Sequence, residues 1–102
     1  MLQLRPSCEH CNRALPPDAA DARICSFECT FCAECADNVL SNVCPNCGGG
    51  FVPRPIRPAR NHRNGNFLGE YPAGANVKHR PVDLSEHSRF AAKLKGVRPQ
   101  ER

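Results

Sequence analysis

The chain has 102 residues and a formal charge of +4, with 10 prolines, 7 glycines, 8 cysteines, one tyrosine and no tryptophan. That length allows one ordinary domain at most, and no stretch approaches the ~20 apolar residues of a membrane span. A helical membrane protein and a large single-core enzyme are therefore excluded. The opening Met1-Leu2-Gln3-Leu4-Arg5-Pro6 lacks the apolar run of a secretory signal. A reducing cytoplasm is the expected compartment, and a secreted disulfide scaffold is not expected.

The two halves differ in kind. All eight cysteines lie in residues 1–50, which carry three basic residues (Arg5, Arg13, Arg23) and six acidic ones, a net of −3. Residues 51–102 carry 11 basic and 4 acidic residues, a net of +7, and six of the ten prolines. The first half has nine large apolar side chains, too few to order about fifty residues by burial alone, so it needs a cross-link. The expected organisation is a zinc-binding head over 1–52 and a Pro/Arg-rich flexible linker over 53–82. A short amphipathic helix over 83–96 and a disordered end over 97–102 follow.

In chain order, Leu2 and Leu4 alternate with polar residues and predict a short strand entering the pair Cys8 and Cys11. Pro16-Pro17-Asp18 predicts a turn. Arg23 to Phe31 reads as a strand or hairpin carrying Cys25 and Cys29, with Ile24, Phe27 and Phe31 expected in the small core. After Cys32 and Cys35, Ala36 to Val43 can form two helical turns with Val39, Leu40 and Val43 on one side. Cys44-Pro45-Asn46-Cys47-Gly48-Gly49 is a metal knuckle by composition. Proline presets φ in its turn, and Gly48 permits the open conformation that follows.

The full spacing is C-x2-C-x13-C-x3-C-x2-C-x2-C-x8-C-x2-C. Two residues between cysteines let one tight turn aim both sulfurs at a single ion. Eight thiolates make two closed four-cysteine zinc sites. Iron can take such ligands too, disulfides need an oxidising compartment, and a redox pair needs a βαβ scaffold. Sequential pairing joins Cys8, Cys11, Cys25, Cys29 and then Cys32, Cys35, Cys44, Cys47. Interleaved pairing joins Cys8, Cys11, Cys32, Cys35 and, separately, Cys25, Cys29, Cys44, Cys47. The interleaved arrangement is favoured because its long-range links tie the whole head together, although spacing leaves both open. His10, inside the first pair, is expected to face solvent or to support the ligands. The fold class expected is a small metal-stabilised α+β head with short strands and one short helix, RING-like or treble-clef-like, followed by a largely irregular basic tail.

The order of spacings resembles an all-cysteine RING-type cross-brace, with Cys29 where the common pattern has His. Ubiquitin-ligase RING domains also carry an apolar residue before the second ligand, a bulky apolar one after the sixth, and often a basic one after the eighth. Those places hold His10, Val39 or Leu40, and Gly48. The resemblance thus implies the metal scaffold and disfavours a ubiquitin-ligase-like component. Met1-Leu2-x-Leu4-Arg5-Pro6-x-Cys8, Leu15-Pro16-Pro17, the run Ala22 to Cys32 and Cys44 to Gly49 resemble a family of short bacterial cysteine-rich proteins classed as a domain of unknown function. That resemblance covers roughly residues 1–57 and implies that the head is one unit, without implying an activity.

Charge bears on partners. Eight thiolates and two Zn²⁺ would take the head from −3 to about −7. Any polyanion contact must then come from the tail, where Arg54, Arg57, Arg60 and Arg63 recur every third residue among prolines. A polyproline II segment would align them on one edge, about 9 Å apart. Farther on, Asp83 and Glu86 open a helix in which Leu84, Ala91 and Leu94 share a face beside Phe90, ended by Gly96. Docking of that helix on the head or on a partner is open. No Ser/His/Asp set and no three-ligand metal site is legible, so no catalysis and no small-molecule substrate are expected. The leading function is a non-enzymatic zinc protein that binds a protein partner as an adaptor. The alternative is a nucleic-acid or ribosome-associated protein acting through the tail.

Overall fold

Between Cys25 and Cys29 the chain has three residues in which to reverse, and Glu28 takes the left-handed conformation, φ +69°, to do it. The reversal makes an antiparallel hairpin of β1 (Ala22–Ile24) and β2 (Thr30–Cys32), with Arg23 opposite Phe31. β3 (Val52–Pro53) adds to the free edge of β1, Ile24 facing Val52, so the sheet order is β2-β1-β3. Proline is tolerated there because an edge strand does not need every amide. The computed structural model describes all 102 residues.

The turn predicted at Pro16-Pro17-Asp18 is present, closed by the Ala19 amide on the Pro16 carbonyl at 2.9 Å. The strand predicted for Leu2 and Leu4 is not: Leu4 is buried in irregular chain, and a single antiparallel bridge joins Ser7 to Ala14. The two helical turns predicted over Ala36–Val43 are replaced by one wide turn, Cys35–Val39, in which the Leu40 amide reaches the Cys35 carbonyl at 2.8 Å. Ser41 and Asn42 then both take positive φ, 55° and 57°. Only eight residues separate Cys35 from Cys44. The chain must reverse within them, and the wide turn does so while still burying Ala36, Leu40 and Val43.

Leu15, Ala22, Phe31, Ala36 and Leu40 pack with six of the cysteines into one core. Phe31 meets Phe51 edge to face, ring centroids 5.4 Å apart. Phe27, expected beside it, is 66 % exposed at the tip of the Cys25–Cys29 loop. The loop is too short to fold its apex back under the sheet. Phe31→Ala should therefore cost about 3–5 kcal/mol. Phe27→Ala should stay within about 0.5 kcal/mol, as read by denaturant melts at fixed metal concentration.

Beyond β3 the chain contains little regular structure until α1 (Leu84–Leu94), as composition suggested. Where a flexible linker was expected, backbone hydrogen bonds tie the segment to the head: Arg54 amide to Ala22, Gly74 to Leu4, Arg80 to Glu9, at 2.7–3.0 Å. Asp83 caps α1 by accepting from the Glu86 amide at 3.1 Å. The helix docks on the head through His87 and Ala91, both buried, while Leu84 stays exposed. Gly48 is the seat of this contact. A Cβ there would stand 3.0 Å from Leu94 Cδ1 and 3.2 Å from Phe90 Cζ. The end expected to be disordered forms a turn at Pro99–Glu101. Arg102 returns to the head, donating to the Asn42 and Gly48 carbonyls at 2.8 and 3.1 Å.

Candidate metal centres

Two knuckles of unrelated sequence adopt one hydrogen-bonding plan. In the first, the Cys8 amide donates to the Arg13 carbonyl at 2.8 Å and the Asn12 amide to the Cys8 carbonyl at 2.9 Å. In the last, the Cys44 amide donates to Gly49 at 2.8 Å and the Gly48 amide to Cys44 at 2.8 Å. The residue after the second cysteine must then take positive φ: Asn12 at 65° and Gly48 at 78°. Glycine does this without strain, and asparagine tolerates it. Amides also point at the sulfurs, Phe27 to Cys25, Asn46 to Cys44 and Gly49 to Cys47, at 3.3–3.4 Å. Such donors stabilise sulfur as thiolate.

The pairing is interleaved. Cys8, Cys11, Cys32 and Cys35 bring their four sulfurs within 4.8 Å of one another. Cys25, Cys44 and Cys47 do the same, and Cys29 joins them through contacts of its thiol with Cys25 and Cys44. The Cys11 and Cys32 sulfurs stand 3.8 Å apart, far beyond a disulfide's ~2.05 Å. A tetrahedron with metal–sulfur bonds of ~2.3 Å has edges of about 3.8 Å, so this donor set has the chemistry and the size for an ion such as zinc. All eight cysteines are free thiols, and six are buried, with Cys11 and Cys47 reaching solvent.

Packed sulfurs share protons unevenly. Burial pushes the Cys35 thiol well above its ordinary value, and its hydrogen bond to Cys32 and the charge of Cys8 push the same way. Burial likewise raises Cys32, Cys29 and Cys44, in the last case against amide hydrogen bonds from Cys47 and Asn46. Burial also opposes ionisation of Cys11 and Cys25, but hydrogen bonds win there. Those to Cys11 come from Arg13 and the neighbouring thiols, those to Cys25 from Phe27, Cys29 and Cys44, and both cysteines are lowered. Each cluster thus sets one sulfur that is lowered against two that are raised. A divalent cation resolves that conflict by displacing the protons.

Several supporting groups are not legible from spacing. Glu9, buried inside the first knuckle, accepts from the Thr30 amide at 2.5 Å and from the Arg5 guanidinium at 2.8 Å. Burial alone would lower the Arg5 pKa, but the bond and charge of Glu9, reinforced by Cys29, hold it above its ordinary value. Arg5 and Glu9 therefore link the first knuckle to a ligand of the second centre. His10, expected to face solvent or to support the ligands, instead holds the tail: half-buried, its Nδ1 accepts from the Val82 amide at 2.9 Å. His87 places Nε2 3.0 Å from the Leu40 carbonyl. The signal for these residues is a long-range partner, which only folding reveals.

The four arginines proposed to share one edge do not. Arg54 is buried and donates to the carbonyls of Arg5, Leu15 and Pro16 at 2.9–3.2 Å. Arg57 donates to Tyr71 and Leu2 at 2.7 and 2.9 Å. Only Arg60 and Arg63 remain exposed and unpaired. The carbonyls left over by an irregular head draw in the first two, which a polyproline ladder could not anticipate.

Residues 1–57 match the family described as a protein of unknown function, DUF1272. The chain belongs to the DUF1272 family. It is 59 % identical over 73 residues to an uncharacterized protein of Rhizobium meliloti (strain 1021), covering 72 % of this chain and 80 % of that protein. No solved structure matches. The DUF1272 segment contains both cysteine clusters, all three strands and the buried Arg54, and it ends at Arg57, whose side chain pins the tail to Leu2. No helix is long and apolar enough to cross a membrane.

Proposed function

We propose that this chain is a non-enzymatic, cytoplasmic protein that holds two structural Zn²⁺ ions and serves as an adaptor for a protein partner. The interleaving of the two cysteine clusters carries the reading, because it makes each ion a clasp between distant parts of the chain. Four sulfurs per ion leave no open coordination position for a substrate or an activated water. Beside the second centre lies a groove of about 600 Å³ in which Phe27, Pro45 and Phe90 stand among charged groups such as Lys78, Asp83 and Glu86. Exposed aromatics on a rigid rim support protein binding over turnover. The RING-type ligase alternative finds less support, since Gly48 lies under α1 and the His10 ring is taken up by Val82.

Native mass spectrometry of the reduced protein should show two Zn²⁺ with eight protons displaced. A single ion would overturn the two-site stoichiometry, and iron or inorganic sulfide in the mass would replace zinc with an iron-based reading. For the adaptor role, the metal-loaded chain should show no hydrolytic or redox turnover. It should also support no ubiquitin discharge from conjugating enzymes.

A further inference from the structure

Two of the tail's free arginines, Arg60 and Arg63, share one closed loop, while Arg80 and Arg89 are exposed elsewhere. From Asn38 to Gly69 there is no acidic residue. Within that stretch Arg54 and Arg57 are anchors, bound to backbone carbonyls of the head and of Tyr71. Just past them the chain forms a loop from Pro58 to Leu68, closed at its neck by the Leu68 amide on the Pro58 carbonyl at 2.9 Å. Two further bonds shape the crown: the Asn66 amide to the Arg63 carbonyl at 3.1 Å, and the Gly65 amide to Asn61 Oδ1 at 3.0 Å. Asn64 and Gly65 take positive φ, 58° and 71°, which completes the turn.

The crown is Arg60, Asn61, His62, Arg63, Asn64, Gly65 and Asn66, all exposed except the half-buried Gly65. Neither arginine has an ion pair or a hydrogen-bond acceptor within the chain. The apolar residues of the loop, Phe67 and Leu68, sit half-buried below the crown. We propose that this loop binds the phosphodiester backbone of a nucleic-acid strand. A protein interface centres on aromatic, Met or Arg side chains packed in desolvated pockets, and a membrane surface needs apolar groups to insert. The crown offers neither. Cations and amide donors are what phosphate oxygens require, and they position a strand without reading its sequence. Because the neck and the two anchoring arginines already hold the loop, little ordering cost opposes binding. The proposal is independent of the metal reading, since the loop lies outside both cysteine clusters.

The test measures anisotropy of a fluorescein-labelled single-stranded DNA of about 20 nucleotides, titrated with the zinc-loaded full chain between about 50 and 200 mM salt. Binding that weakens with salt is expected. The double substitution Arg60→Ala/Arg63→Ala should lower affinity on the order of tenfold at the low-salt end. It should also make the log–log salt slope shallower by about 1.4, the contribution of two single-strand phosphates. Arg13→Ala/Arg23→Ala, a charge-matched change elsewhere, should leave the slope unmoved. Two Zn²⁺ retained in each variant show that the head is intact. An unchanged slope in the Arg60/Arg63 variant overturns the proposal. So does absence of binding at low salt, or tighter binding of labelled polyglutamate or of phosphatidylserine vesicles than of DNA.

Discussion

Chelation of the metal-loaded chain in reducing buffer should collapse its dispersed amide spectrum, and readdition of zinc should restore it. Structural zinc contributes about 10–16 kcal/mol of apparent binding free energy near pH 7, as much as the whole stability of an ordinary domain. Here six of the eight sulfurs belong to the core itself, so removing the ions leaves close-packed thiols in place of packed ligands. Each cluster would then hold protons on its raised cysteines, Cys32 and Cys35 in the first and Cys29 and Cys44 in the second. Zinc uptake should accordingly release protons, and metal should be lost as pH falls, because protons compete for the same sulfurs. Cys32→Ser and Cys44→Ser should each lower the stoichiometry below two. The second should also free α1, whose seat at Gly48 belongs to the Cys44–Cys47 knuckle. A chelated protein with an unchanged spectrum would refute the metal scaffold.

Arg54→Ala should destabilise the head by about 3 kcal/mol, an unusually large effect for an arginine outside any ion pair. Its guanidinium reaches three carbonyls contributed by Arg5, Leu15 and Pro16, and burial pulls its pKa below the ordinary value. Removing it strands those acceptors and leaves a void where the N-terminal segment, the Pro16 turn and β3 meet. Arg54→Lys should recover only part of the loss, since one ammonium cannot reproduce a planar fork reaching three oxygens. Thermal melts at fixed zinc should show an apparent Tm lowered by roughly 10–20 °C for the alanine variant. Arg60→Ala, at an exposed and unpaired side chain, should leave the melt unchanged. Equal melts for Arg54→Ala and Arg60→Ala would show that the carbonyl contacts contribute nothing.

Much of the candidate site was legible because cysteine spacing is a local code. Two intervening residues oblige a tight turn, whichever residue satisfies the positive φ, and so Asn12 and Gly48 end equivalent knuckles. The hairpin at Cys25–Cys29 and the capped helix at Asp83 were legible for the same reason, each resting on residues within one turn of chain. Phe27 misleads because hydrophobicity alone cannot tell a strand interior from the apex of a short loop. The arginines mislead because a periodic pattern was read without the carbonyls that would compete for it.

Composition and spacing by themselves determined that this chain would be built on eight cysteines, with an acidic head and a basic tail. Only tertiary structure decided which cysteines stand together, which arginines are internal struts and which are free, and that α1 lies on the head. Ligand type and turn geometry are set within a few residues. Pairing and burial depend on segments up to 72 residues apart, as when the Val82 amide reaches His10, and are settled only when the chain closes on itself.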